Sequence, residues 1–105
     1  MADKKKKALT GIKPTGNIHL GNIMGAFLPA LELTKTYETN YFIADAHSIT
    51  TVNSGDTLRD LTKQVAASWL ALGLDPNKST FYRQSDILED FELSWIFHCI
   101  TPKGL

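Results

Sequence analysis

Gly11 to Ala26, GIKPTGNIHLGNIMGA, is the segment that decides how the rest of the chain is interpreted. It follows the short apolar run Ala8 to Thr10, which is typical of the end of a buried strand, and it precedes a segment with helical spacing of apolar residues. A strand, a glycine-rich turn and a helix start therefore follow one another. Because N–H groups at a helix start attract anions, the segment predicts a site for phosphate or a nucleotide.

Two side chains in this turn suit such a ligand. Lys13 supplies a mobile cation, and His19 supplies a donor that is neutral or charged near neutral pH. The glycine spacing is neither the G-x-G-x-x-G of a dinucleotide fold nor the G-x-x-x-x-G-K-[ST] of a P-loop. Those two kinds of nucleotide site are therefore excluded.

The same segment resembles the first signature of the class I aminoacyl-tRNA synthetases. HLGN (residues 19–22) is similar to their HIGH-type motif, and the flanking GIKPTG (11–16) and NIMGA (22–26) narrow the resemblance to the tryptophanyl-tRNA synthetases. ADAHSIT (44–50), after the second predicted strand, resembles a second signature stretch of that family. The resemblance covers essentially all of the chain from Leu9 onward.

The resemblance implies roles for particular residues. His19 and Asn22 are the implied catalytic residues, which donate to phosphate oxygens in the transition state, and His47 faces the amino-acid pocket. The implied ATP-binding residues are Lys13, Pro14, Thr15, Gly21 and Asn22. For Asp45 two interpretations stay open: it either braces the loop after the second strand or belongs to the site. No metal-ligating residues are expected.

Two positions depart from the family pattern. Asn22 replaces the second histidine of the general signature, which is usual among the tryptophan enzymes and retains a neutral donor. Lys13 stands where many members carry glutamine, so the detailed contacts at that position do not transfer.

The implied activity is that of an enzyme, a tryptophan–tRNA ligase. The tryptophan carboxylate attacks the α-phosphorus of ATP, which arrives with Mg²⁺, and tryptophanyl-adenylate then esterifies tRNA(Trp). The full-length protein is expected to be a homodimer, with most tRNA contacts outside this chain. The chain itself resembles an amino-terminal fragment that lacks the lysine-bearing KMSKS-type loop, so we expect it to have little or no activity alone.

The element order predicts the fold. Strand candidates at 8–10, 41–44 and 79–83 alternate with helices, the first over about 20–38 with a bend at Pro29 and the second capped by Asp56. In the last helix, capped by Ser85 or Asp86, one apolar face includes Cys99. This order predicts an α/β, Rossmann-like three-layer domain with a parallel sheet, and the resemblance makes it the first half of a class I synthetase catalytic domain. Residues 1–7 are interpreted as a charged tail and 8–105 as the incomplete domain.

Composition adds little about function. The 11 basic and 11 acidic residues balance, which gives no overall attraction to nucleic acid or membrane. The single cysteine, Cys99, excludes an internal disulfide and is expected in the core. Because no apolar run is long enough to span a bilayer, we expect a cytoplasmic protein without a membrane partner.

Three alternatives remain. A tyrosyl-tRNA synthetase shares the fold but generally has a second histidine where Asn22 stands. Another nucleotidyltransferase with an H-x-G-H motif does not account for GIKPTG and ADAHSIT together. The third alternative belongs to a different functional class, in which the chain is a nucleotide-binding fragment without catalytic activity.

Overall fold

The structure, a computed structural model, describes residues 5–104. Its elements are β1 (Lys7–Ile12), α1 (Leu20–Asn22), a π-helical turn (Ile23–Phe27), α2 (Leu28–Glu32), a 3-10 turn (Leu33–Lys35), β2 (Glu38–Ile43), α3 (Asp45–Ser48), α4 (Gly55–Ala71), β3 (Thr80–Arg83), a second 3-10 turn (Gln84–Asp86) and α5 (Leu88–Ile100). Of the predicted tail, residues 1–4 lie outside the described residues, and Lys7 is the first residue of β1.

The three strands form one parallel sheet in the order β1-β2-β3. This confirms the predicted α/β fold. Aromatic and β-branched residues in β2 favour a central strand. β2 is buried on one face only: Tyr41 and Ile43 are buried, whereas Phe42 on the opposite face is only partly buried. One face of the sheet therefore carries the core.

Trp69, on α4, lies at the centre of that core. It is fully buried, with ring centroids 4.7 Å from Phe27 and 4.8 Å from Tyr41. The Tyr41 hydroxyl donates to the backbone oxygen of Ala30 at 2.7 Å, so a polar group buried beside the tryptophan has a partner. These contacts pack α2 and α4 on the same face of the sheet.

The first predicted helix is interrupted and shorter than expected. The N–H of Leu28 bonds to the oxygen of Ile23, one residue further back than in an α-helix. Pro29 follows directly and has no N–H for the usual bond to Gly25, so the π turn lies where the sequence predicts a bend. The predicted end at Glu38 is wrong, because Glu38 already begins β2.

The predicted caps of the later helices are also wrong. Ser54, not Asp56, caps α4, and its hydroxyl accepts from the N–H of Thr57 at 3.3 Å. Helix α5 follows Ile87 and has no side-chain cap. Asp56 instead lies in the first turn of α4, where a carboxylate interacts favourably with the positive end of the helix dipole. Its carboxylate also pairs with Arg59.

Helix α5 does not contribute to the core. It has no buried residue, and Cys99, expected in the core, is exposed. An apolar helical pattern predicts burial only where another element covers it, and no such cover is present in residues 5–104. Among these residues, no helix is both long enough and apolar enough to cross a bilayer.

Gly11→Ala is expected to destabilise the chain by about 1–3 kcal/mol. A Cβ at Gly11 would lie 2.4 Å from Cζ of Phe42, whose ring stacks on Tyr82 with centroids 5.8 Å apart. The ring would have to leave that stack. We would measure this loss by urea unfolding, with Gly16→Ala, which meets no atom within 4 Å, as the control. If the loss is equally large in a Phe42→Ala background, the clash is not its cause.

Candidate active site

The parallel sheet brings three loops to one edge. Ile12, Ile43 and Arg83 are aligned across β1, β2 and β3, so the segments that follow them begin side by side. Ligands of open α/β sheets bind outside this carboxyl edge. The predicted site residues all belong to the first two of these segments.

The first loop encloses a small depression of about 240 Å³. Its lining residues are Ile12, Lys13, Thr15, Gly16, Asn17, Ile18, His19 and Asn22. Four of the predicted residues therefore lie together. Pro14 is fully buried, and neither Pro14 nor Gly21 is among the lining residues.

Asn22 is oriented by its own loop. Its Oδ1 accepts from the N–H of His19 at 3.1 Å, while its N–H donates to the oxygen of His19 at 2.9 Å. Because Oδ1 is already engaged, the Nδ2 group is the part of the side chain left to donate to a ligand. A Cβ at Gly21 would lie 3.0 Å from the His19 ring, so a glycine here gives that ring room.

Lys13 connects the first loop to the second. Its Nζ donates to the Thr50 hydroxyl at 3.0 Å, and that hydroxyl donates to the backbone oxygen of His47 at 2.8 Å. Lys13, expected to be a mobile cation, is half-buried and has a defined partner. The ammonium group is therefore directed toward the turn that carries His47.

Asp45 braces the loops after β2 and β3. Asp45 is 8% exposed, and its carboxylate accepts from Ser85 and from the N–H of Ala46. Of the two interpretations left open for Asp45, this geometry supports the brace. The predicted capping role of Ser85 is wrong, because its hydroxyl donates to Asp45 instead.

Three residues outside the predicted site join these loops: Thr50, Gln84 and Ser85. Gln84 accepts from the N–H of His47 at 3.2 Å, so it contacts the second loop directly. The available signal was position, because Gln84 and Ser85 follow a predicted strand, as Asp45 and His47 do. Only the alignment of the strands brings the three loops together.

A second cavity, of about 540 Å³, shares no lining residue with the first. It lies between α4 and β3, with Ile43, Leu58 and Phe81 among its apolar lining. At its rim the hydrogen bond from the Arg83 guanidinium lowers the pKa of the Asp86 carboxyl. Within residues 5–104, no group of three His, Cys, Asp or Glu side chains is arranged to hold a metal ion.

Comparison with known proteins gives consistent matches. The chain is 50% identical over 103 residues to a tryptophan–tRNA ligase of Neisseria meningitidis, and the match covers 96% of this chain and 31% of that protein. The crystal structure of tryptophanyl-tRNA synthetase from Campylobacter jejuni superposes with a TM-score of 0.85 at 38% identity, covering 92% of this chain and 31% of that one. The same synthetase complexed with ADP and tryptophan also gives a TM-score of 0.85 at 38% identity, with coverages of 91% and 30%.

The chain thus spans about 31% of the length of the Neisseria meningitidis relative. Residues 1–104 match the family model described as tRNA synthetases class I (W and Y). A match over nearly the whole chain, together with the shared parallel sheet, establishes that the chain belongs to the class I tRNA synthetases of this tryptophan and tyrosine group.

Proposed function

We propose that the chain contributes the first part of the ATP and tryptophan sites of a tryptophan–tRNA ligase. The observation that carries this proposal is the hydrogen-bonded connection from Lys13 through Thr50 to His47. It joins the loop expected to hold the nucleotide to the turn expected to hold the amino acid. A related synthetase with ADP and tryptophan bound together supports the same pairing of ligands.

In the proposed reaction, an oxygen of the tryptophan carboxylate attacks the α-phosphorus of ATP and pyrophosphate leaves. The protein contributes mainly by orienting the reactants and stabilising charge on the phosphates. His19 and Asn22 donate hydrogen bonds to the phosphates. The free Nδ2 of Asn22 and the position of both residues in the 240 Å³ depression support this role. Mg²⁺ accompanies ATP, because Mg²⁺ is commonly bound through substrate phosphates rather than by a cage of protein ligands.

The remaining residues of the first loop have supporting roles. Lys13 and Thr15, which line the depression, contact ATP, while the buried Pro14 holds the shape of the loop. Gly21 allows the adenine or ribose to approach the backbone. His47, at the end of the next strand, contacts the amino acid.

In the second proposed step a terminal hydroxyl of tRNA(Trp) attacks the carbonyl carbon of the adenylate, so that an ester bond forms and AMP leaves. Most contacts to tRNA belong to regions that correspond to the other two thirds of the relatives. We also propose that the full-length protein acts as a homodimer in the cytoplasm. The proposals of a tRNA partner and of a dimer rest on the family to which the chain belongs, not on a surface of the described residues.

A full-length protein that contains this chain is expected to catalyse tryptophan-dependent exchange between ATP and pyrophosphate. Omitting tryptophan, or replacing it with tyrosine, should reduce exchange to the background rate, because a site that recognises one side chain rejects the other. Labelled pyrophosphate incorporation into ATP measures this directly. Exchange that depends on tyrosine would favour a tyrosyl-tRNA synthetase. If neither tryptophan nor tyrosine stimulates exchange, the proposed synthetase function is contradicted.

A further inference from the structure

The ends of β2 and β3 are joined by one buried carboxylate. Oδ1 of Asp45 accepts from the N–H of Ser85 at 3.0 Å and from the N–H of Ala46 at 2.9 Å. Oδ2 accepts from the Ser85 hydroxyl at 2.5 Å. Both oxygens therefore have partners, as a carboxylate removed from water requires. Because two of the donors belong to Ser85, the carboxylate fixes the direction of the chain at the end of β3.

A second contact runs the opposite way between the same two segments. The N–H of His47 donates to Oε1 of Gln84 at 3.2 Å. The His47 side chain is exposed, and within residues 5–104 its imidazole makes no hydrogen bond. The position of the ring therefore depends on the backbone of α3. The backbone of α3 depends in turn on its contacts with Gln84 and Ser85.

We propose that Asp45 and Ser85 form a positioning pair that fixes α3, and with it the His47 imidazole, against the end of β3. Neither residue contacts the substrate; both act through His47. The pair thereby sets how well the amino acid binds. This inference rests on the proposed function for the identity of the amino acid, whereas the positioning of His47 does not depend on it.

The opposite ends of the same two strands provide a matched control. There the hydroxyls of Thr39 and Ser79 hydrogen bond at 2.7 Å, and both residues are buried. β2 and β3 are thus joined at each end by a serine hydroxyl. Ser85→Ala and Ser79→Ala each remove one such hydroxyl, but only Ser85 lies beside α3.

The experiment measures hydrogen exchange at the His47 amide and steady-state kinetics in a full-length protein that contains this chain. In Ser85→Ala we expect exchange at His47 to accelerate about tenfold and kcat/KM for tryptophan to fall about tenfold, the range expected for one hydrogen bond to a charged group. KM for ATP should change less than about twofold, because Lys13 keeps its charge even where the turn that carries Thr50 loosens. Ser85→Thr, which keeps the hydroxyl, should restore both values.

Ser79→Ala should lower the melting temperature by an amount similar to Ser85→Ala while leaving His47 exchange and tryptophan kinetics unchanged. Equal effects of the two alanine variants on His47 exchange, or no effect of Ser85→Ala on it, would overturn the proposal. Selective loosening of His47 without a change in kcat/KM for tryptophan would also overturn it. Selective loosening in a protein that does not use tryptophan would support the positioning pair and reject the proposed function instead.

Discussion

His19→Ala and Asn22→Ala are each expected to slow adenylate formation by about 10²- to 10³-fold in a full-length protein that contains this chain. Both side chains line the depression after β1, and Asn22 is held by the backbone of His19. A donor fixed in this way stabilises charge that develops on the phosphates in the transition state. ATP binding should therefore weaken much less than the rate falls.

Lys13→Ala provides the contrast for this experiment. A cation attracts the phosphates in the ground state and the transition state alike, so its loss should chiefly raise the apparent dissociation constant for ATP. Thr50→Val removes the hydroxyl that accepts from Lys13 but leaves the charge of Lys13. It should therefore raise the apparent dissociation constant for ATP less than Lys13→Ala does.

Single-turnover adenylate formation, measured beside thermal melts, separates binding from chemistry. If the first loop were only a glycine-rich connection, these variants would shift the melting temperature and leave the rates of the folded protein unchanged. An unaltered single-turnover rate in a well-folded His19→Ala protein would overturn the assignment of the site.

Trp69→Ala is expected to destabilise the chain by about 3–5 kcal/mol. The side chain is fully buried between Phe27 and Tyr41, and its ring centroid lies 6.4 Å from that of Phe81. Removing it leaves a cavity between α4 and the sheet that the surrounding aromatic rings cannot fill. Urea unfolding followed by circular dichroism gives the change in free energy of unfolding.

Two variants control for the loss of a tryptophan. Trp95 on α5 is 72% exposed, so Trp95→Ala should change the free energy of unfolding by less than about 0.5 kcal/mol. Trp69→Phe retains an aromatic ring, and it removes an indole N–H that has no hydrogen-bond partner within the described residues. It should therefore be milder than alanine. A Trp95→Ala effect as large as that of Trp69→Ala would contradict the assignment of the core.

Local sequence was sufficient to locate the three strands and α4, although β2 begins at Glu38, three residues before the predicted start. Apolar residues recur at helical spacing along α4 and place Val65 and Trp69 on its buried face, and Gly73, at φ 104°, follows the end of that helix. The wrong cap predictions concern residues that are close in the sequence and have similar helix-capping propensities. Ser54 and Asp56 can both cap a helix, and only the conformation of the turn selects Ser54.

α5 shows a different limit. Its apolar residues predict a buried face, yet Trp95, Cys99 and the rest of the helix are not buried. Periodicity reports which residues share a face, whereas burial depends on a second surface that covers the face. Sequence reasoning therefore located the helix and misassigned the environment of its cysteine.

By itself, the sequence determined the α/β order of elements, the tryptophanyl-tRNA synthetase resemblance and the candidate residues from Lys13 to His47. These depend on patterns within windows of about 11–18 residues, where spacing and turn chemistry act directly. Only the tertiary structure decided that Lys13 bonds to Thr50 and that Asp45 bonds to Ser85. These partners lie 37 and 40 residues apart in the chain, and the parallel register of the strands brings them into contact.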